Sequence, residues 1–280
     1  MTRNAATRDA RHILSLSGGK DSAALAIYMR DRVPEMEYIF HDTFMELDET
    51  YEYLDRLEAL LGKPILKSNP KKGFDHWLKV YRGMIPSNMR RWCTKNLKLK
   101  PFEQWIGDDP VVNYIALRAD ESRSGYISAK PNVETVFPFR EDGIVYEDVI
   151  RILEESGLGL PKYTDWGRTR SGCYFCFYQQ KIEWVRLKQT YPELFELAKA
   201  YEHEQLKYSE HIDGGGSAFY WCGDEPLEEL EKPERMAEIE RQWKDKKSKK
   251  RKATKLVQIL TDVEFDDDPG REEGCLICQL

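Results

Sequence analysis

No stretch of the 280-residue chain approaches the roughly 20 consecutive apolar residues needed to cross a bilayer. The opening, Met1 to Ala10, mixes Arg, Asp, Asn and Thr without the apolar core of a secretory signal. A membrane partner is therefore not expected, and the location expected is cytoplasmic. Positive charge is not in excess either: 43 Lys and Arg stand against 49 Asp and Glu, a formal net charge of -6. That balance argues against a protein coating nucleic acid over its whole surface and leaves only a local basic patch open. Cysteine is scarce, with six in all. In a reducing compartment two Cys-x-x-Cys pairs suggest metal, cluster or redox chemistry before structural disulfides. There is no internal repeat. The Walker spacing is also missing, because Gly18 has no Gly five residues later, which disfavours a P-loop NTPase.

What is present is a chain 41% hydrophobic, enough to bury a substantial core. His12 to Leu16 is a short apolar run ending at Gly18-Gly19, after which Ala23, Ala24, Ala26, Ile27 and Met29 predict a helix. Tyr38-Ile39-Phe40 predicts a second strand and Pro64-Ile65-Leu66 a third. Between them Leu54, Leu57 and Leu61 repeat at helical spacing until Gly62 closes the segment. Trp77 and Leu78 are placed in a helix, Tyr114 to Leu117 in another buried strand, and Val145, Val149, Ile150 and Leu153 in one more amphipathic helix.

This alternation predicts an α/β fold, a mostly parallel sheet with helices on both faces, plus a smaller C-terminal helical, Cys-bearing region. The expected division is 1–162 for the nucleotide-handling domain and 163–243 for the Cys-x-x-Cys and helical region. Within the latter, Glu183 to Lys207 and Leu227 to Lys244 are read as helical. Residues 244–280 form a basic then acidic tail, expected to be mobile. Its basic part, Lys244 to Lys255, sets eight basic residues against Asp245, either a solvated segment or a phosphate-contacting one. Trp77, Trp92, Trp105 and Trp184 can stack on bases, although helical placement more often means packing.

The chemistry concentrates in Ser17-Gly-Gly-Lys-Asp-Ser22, between a strand and a helix, where exposed amides and the helix dipole attract an anion. Glycines admit close approach. Ser17 and Ser22 can donate hydroxyl hydrogen bonds, Lys20 adds positive charge, and Asp21 can position a divalent cation bridging phosphates. Cys173-Tyr-Phe-Cys176 follows Arg168, Arg170 and Gly172, and Cys93 lies beside Arg90 and Arg91. Soft thiolates favour zinc or iron-sulfur clusters, while buried apolar cysteine and dithiol redox work remain open.

The hexapeptide resembles the signature of PP-loop ATP pyrophosphatases, whose members include the phosphoadenylyl-sulfate reductase family and many thiolation enzymes. His41-Asp-Thr-Phe-Met-Glu-Leu-Asp-Glu-Thr50 is similar to that family's Asp-Thr-Gly…Glu-Thr segment, with Phe44 where Gly is usual. Arg91-Trp-Cys-Thr-Lys-Asn-Leu-Lys-Leu-Lys-Pro101 and Leu117-Arg-Ala-Asp-Glu-Ser-Arg123 resemble its next two blocks.

The resemblance implies an adenine nucleotide α-hydrolase-like fold and an ATP site formed by Ser15, Leu16, Ser17, Gly18, Gly19, Lys20, Asp21 and Ser22. Phe40, His41, Asp42 and Thr43 would border adenine and ribose, and Arg118 would face the phosphates. Catalysis would fall to Lys20, Asp21 and Arg118, with ATP and Mg2+. For Arg118 with Asp120, a structural ion pair at a strand end is the ordinary alternative. The resemblance also implies a [4Fe-4S] cluster on Cys93, Cys173 and Cys176 with Cys222 as a fourth ligand, structural zinc being the alternative. Cys275 and Cys278 depart from the reductases' terminal Glu-Cys-Gly-x-His.

Within the family the chain most resembles the DNA phosphorothioation enzymes of the Dnd or Ssp type, associated with phage defence. That resemblance implies adenylation of an oxygen on DNA, with RNA as alternative, a cysteine desulfurase as sulfur donor, and other subunits of a DNA-modification system. A phosphoadenylyl-sulfate or adenylyl-sulfate reductase acting on a small molecule is the competing expectation. A non-catalytic nucleotide- or metal-binding subunit is the third.

Overall fold

The computed structural model describes residues 10–68, 72–125, 127–209, 220–223 and 225–257. Cys275, Cys278, His211 and the acidic run from Glu264 lie outside the described residues. Contacts group the chain into two compact units. Among the described residues, one holds those up to Trp77 together with Arg91–Tyr174; the other holds Leu78–Arg90 together with those from Phe175 to Val257.

The first unit is built on five parallel strands: β1 (Arg11–Leu16), β2 (Glu37–His41), β3 (Ile65–Ser68), β4 (Val111–Tyr114) and β5 (Val133–Val136). They lie in the order β3-β2-β1-β4-β5. The central strands are buried almost throughout, as parallel strands covered on both faces must be, whereas edge strands β3 and β5 are buried only at their first residue.

Alternation along β1 and β2 sorts the core into two layers. Leu14, Leu16, Tyr38 and Phe40 pack with helices α1 (Lys20–Met29), α2 (Asp48–Leu61) and, later in the chain, Val149 and Leu153. Ile13 and Ile39 pack instead with Phe102 and Ile106. The expected parallel sheet with helices on both faces is therefore present. Leu54, Leu57 and Leu61 form the buried stripe of α2, and Gly62 ends it at φ 64°, a left-handed backbone that favours glycine.

Four more helices complete this unit's connections, apart from α3 (Phe74–Val80), which runs across the unit boundary. The connection from Trp92 to Ile106 is α4 (Trp92–Thr94), a π-helical turn over Lys95–Leu99, and α5 (Lys100–Ile106). After β5 come α6 (Pro138–Glu141) and α7 (Tyr146–Glu155), the latter burying Val149 and Leu153. One strand reading shifts: the apolar run at Tyr114 to Leu117 ends β4 rather than forming it, and Ile115 to Leu117 continue beyond the strand, still buried. β5 was not read from the sequence.

The second unit contains α8 (Lys181–Thr190), α9 (Pro192–Ser209), α10 (Leu227–Leu230) and α11 (Pro233–Val257). The segment read as one helix over Glu183 to Lys207 breaks at Tyr191, because Pro192 cannot continue the α8 hydrogen-bond ladder and instead starts α9. The basic run from Lys244 to Lys255 is the second half of α11, not a separate tail. Trp184 is fully buried, stacked against Trp221 with ring centroids 6.4 Å apart, and Trp221 stacks on Phe175 at 5.0 Å. Trp184 and, in the first unit, Trp92 are packing residues. Glu202 is buried in the second unit and accepts the backbone amides of Trp221 and Leu227, both at 2.8 Å.

Candidate active site

In the order β3-β2-β1-β4-β5 the chain first winds outward from β1 through β2 and β3, then restarts on the other side of β1 with β4. The carboxyl ends of β1 and β4 thus flank a topological switch point, the usual place for a ligand in an open parallel sheet. The Ser17 to Ser22 loop leaves β1 there, and Arg118 follows β4 there.

The loop is tied by its own side chains. Ser22 Oγ donates to the Gly19 carbonyl at 3.1 Å and accepts the Ser17 amide at 3.2 Å. The Ser17 and Ser22 hydroxyls lie 3.1 Å apart, and the Gly19 amide donates to Ser17 Oγ at 3.3 Å. Gly18 has φ 70°, and a Cβ on it would meet Thr50 Cγ2 at 2.4 Å; a Cβ on Gly19 would meet Ser171 Oγ at 2.9 Å. Gly18 therefore requires glycine on steric grounds, and Gly19 sits close against the Ser171 side chain. Gly19 caps α1 without a side-chain hydrogen bond, so the helix begins with amides directed at the switch point.

Lys20, Asp21 and Arg118 come together although 97 residues separate the last two. Asp21 Oδ2 accepts from Lys20 Nζ at 2.6 Å and Oδ1 from Arg118 Nη1 at 2.9 Å. Burial works against ionisation of Asp21, but the charges and hydrogen bonds of Lys20 and Arg118 outweigh it and hold the carboxyl down at about 2. Arg118 also pairs with Asp120 at 2.8 Å and Glu121 at 3.3 Å. Burial opposes its charge, yet Asp21 foremost raises its pKa above the ordinary arginine value. The structure thus shows Arg118 in a strand-end ion-pair network with Asp21, Asp120 and Glu121.

Tyr146, the first residue of α7, was not singled out in the sequence. Its ring lies 5.4 Å from both Lys20 Nζ and the Arg118 guanidinium carbon, a platform under the two cations.

At the end of β2 the pattern of alternation buries Phe40 on one face and His41 on the other. Phe40 packs edge-on to Tyr51, and His41 packs edge-on to Phe102 at 5.9 Å. Both side chains belong to the core, which leaves their backbone for any nucleotide contact. Ser15 and Leu16 are likewise buried. Burial first, and the charge of Lys98 second, pull the His41 pKa down to about 3, so its imidazole is neutral near pH 7.

Asp42 Oδ1 accepts the Phe44 amide at 2.8 Å and the Tyr51 hydroxyl at 2.7 Å. Thr43 Oγ1 donates to Glu46 Oε1 at 3.3 Å and lies 3.2 Å from Cys173 Sγ. Glu46 is buried; burial raises its pKa, against the charges of Lys98 and Arg168. Arg168 is buried too, donating from Nη2 to the carbonyls of Gly172 and Cys173. With Ser171 against Gly19, the segment carrying Cys173 is anchored beside the phosphate loop. The acid–threonine–thiol arrangement was not legible in the sequence beyond the separate motifs.

Cys93, Cys173, Cys176 and Cys222 are half-buried and in no disulfide. Cys93 and Cys173 belong to the first unit, Cys176 and Cys222 to the second. Among the described residues no group of three or more His, Cys, Asp or Glu is gathered as a metal site.

Residues 11–141 match the phosphoadenosine phosphosulfate reductase domain. The match spans the five strands, the Ser17 to Ser22 loop and Arg118.

Two uncharacterized proteins of Methanocaldococcus jannaschii are each 27% identical, one over 198 residues (66% of this chain, 40% of the relative), the other over 192 (65% and 45%). The chain thus spans less than half the length of these two curated relatives. An uncharacterized 37.8 kDa protein of Escherichia phage 186 is 25% identical over 257 residues, covering 70% of this chain and 75% of its own length. Among solved structures, the phosphate complex of phosphoadenylyl-sulfate reductase from Candida auris has 13% identity and TM-score 0.49, covering 60% of this chain and 84% of that one. The U34-tRNA thiolase NcsA from Methanococcus maripaludis, with its [4Fe-4S] cluster, has 17% identity and TM-score 0.41, covering 75% and 77%.

Proposed function

We propose that the chain is an adenylating ATP pyrophosphatase of sulfur transfer, acting on an oxygen of a nucleic acid, with a DNA backbone phosphate as the preferred acceptor. The observation that carries this reading is the convergence of Lys20, Asp21 and Arg118 on the phosphate loop. In this reading the α1 amides and Lys20 bind the polyphosphate. Asp21, ionised throughout the neutral range, is suited to hold Mg2+, which would neutralise charge on the phosphates. Arg118 stabilises the charge that builds on the α-phosphate.

The acceptor oxygen attacks the α-phosphorus and pyrophosphate leaves, giving an adenylated acceptor. A sulfur nucleophile, delivered from a cysteine desulfurase, then attacks the activated phosphorus and AMP leaves. The partners in this reading are that desulfurase and the other subunits of a DNA-modification system. Cys93, Cys173, Cys176 and Cys222 as ligands of a [4Fe-4S] cluster belong to the same proposal; anaerobic iron and sulfide analysis of wild type and Cys93→Ser tests it, and stoichiometric zinc without iron would reject it.

The test of function is a product assay. Protein, ATP and magnesium are incubated with and without oligonucleotide, and separately with phosphoadenylyl sulfate and a thiol reductant. Pyrophosphate and AMP from the first reaction support the proposal; sulfite from the second, with ATP untouched in the first, supports the reductase reading instead.

A further inference from the structure

Phe44 has φ 61°, a left-handed backbone that is an outlier for a bulky residue, and its side chain is 54% exposed. The ring therefore contributes little to the core while its backbone carries strain, held in place by Asp42 Oδ1 on the Phe44 amide. It adjoins Thr43, whose hydroxyl touches Cys173 beside the phosphate loop. On its other side is Gly73, where a Cβ would lie 3.9 Å from Phe44 Cδ2. One turn on, the Trp77 amide donates to the Gly73 carbonyl, and the half-buried Trp77 ring faces Lys100, whose ammonium is 5.7 Å from its centroid. Lys100 then opens onto a cavity of about 360 Å³ lined by Arg91, Thr94, Lys95, Leu99, Lys100 and Glu103.

Lys67, Lys162, Lys181, Lys188, Lys199 and Lys232 each sit on a carboxylate. Lys95 and Lys100 are exposed and, among the described residues, form no ion pair. In a chain of net charge -6 this cavity gathers three cations against one carboxylate. An exposed Phe44 and a half-buried Trp77 near the exposed ammonium groups of Lys95 and Lys100 are what a flexible strand of bases and phosphates needs.

We infer that Phe44, Trp77 and the Arg91–Lys95–Lys100 cavity form the docking track for a single-stranded nucleic-acid segment, with Phe44 as the stacking platform for a base next to the reacting end. This inference rests on the proposed nucleic-acid acceptor and names where that acceptor lies. It explains why a strained phenylalanine stands where glycine would relieve the backbone.

The test measures anisotropy of labelled single-stranded DNA and RNA oligonucleotides on the full chain, across a salt series, with pyrophosphate release recorded in parallel. Phe44→Gly is expected to hold or raise the melting temperature while weakening binding by about tenfold or more, and Phe44→Trp to restore it. Lys95→Glu with Lys100→Glu is expected to lower the slope of log K against log salt by about 1.4, two phosphate contacts' worth, leaving basal pyrophosphate release without oligonucleotide unchanged. Preference for the DNA or RNA arm identifies the strand. Wild-type binding that both variants leave intact overturns the track, as does Phe44→Gly losing stability with binding unchanged. If oligonucleotide still stimulates pyrophosphate release at unaltered KM in the lysine variant, the track fails and the proposed activity stands. If wild type binds through these residues but never cleaves ATP, the track stands and the proposed activity fails.

Discussion

In the parallel-sheet unit the half-buried carboxylate of Asp21 is met by two side-chain cations, whereas in the helical unit the buried Glu202 is met by the backbone amides of Trp221 and Leu227. Burial opposes the charge of both. The cations win at Asp21, which is held down at about 2; at Glu202 burial wins over the two amides and the pKa rises to about 7. The difference separates a site from a staple. In the proposed function, Lys20 and Arg118 are side-chain charges that turn to an incoming polyphosphate while Asp21 accepts a cation. The partners of Glu202 are main chain, and this carboxylate ties the backbone at Trp221 and Leu227 to α9.

The sharpest way to break that comparison is to remove each charge in turn. Asp21→Asn should cut pyrophosphate release by about a hundredfold or more with the circular dichroism spectrum retained. Glu202→Gln should leave it within about threefold. Equal losses in both would mean that the two carboxylates do the same work.

A pH series sharpens it next, and the two units should respond with opposite sign. Between pH 4.5 and 7 folded Glu202 binds more protons than the unfolded chain, so its contribution to stability grows as pH falls, by about 2–3 kcal/mol from pH 8 to pH 5. His41, with its pKa lowered from 6.5 to about 3, binds fewer protons folded than unfolded in that window. Its stabilising contribution is present above 6.5 and is lost as pH falls, about 2 kcal/mol of it by pH 5. These contributions offset each other in wild type. Urea melts should show Glu202→Gln losing stability on acidification and His41→Leu gaining it; parallel curves for the two variants would contradict the assignments.

The smallest effect is expected at Tyr146. Replacing it by Leu removes the ring under Lys20 and Arg118 and should raise the KM for ATP about two- to tenfold at unchanged melting temperature. An unchanged KM would make the ring packing only.

How much of this was legible in the sequence follows from range. The Ser17 to Ser22 loop is local, and its strand and helix flanks announce themselves by apolar runs; the structure places them as read. Arg118 was reached through the resemblance, and the parallel pairing of β1 with β4 is what carries it to Asp21. Tyr146 gave no signal, because an aromatic at the start of an amphipathic helix looks like packing. The β4 boundary slipped since Ile115 to Leu117 are as buried as the strand before them, and burial alone does not mark where a ladder stops. The meeting of Thr43 with Cys173 depends on a loop 130 residues away, which no periodicity encodes.

The central claim concerns which bond of ATP is broken. With ATP labelled at the α-phosphorus, magnesium and a single-stranded oligonucleotide, the account predicts labelled AMP with one equivalent of pyrophosphate, lost in Asp21→Asn. Labelled ADP with inorganic phosphate, or ATP recovered intact while phosphoadenylyl sulfate yields sulfite, would contradict it.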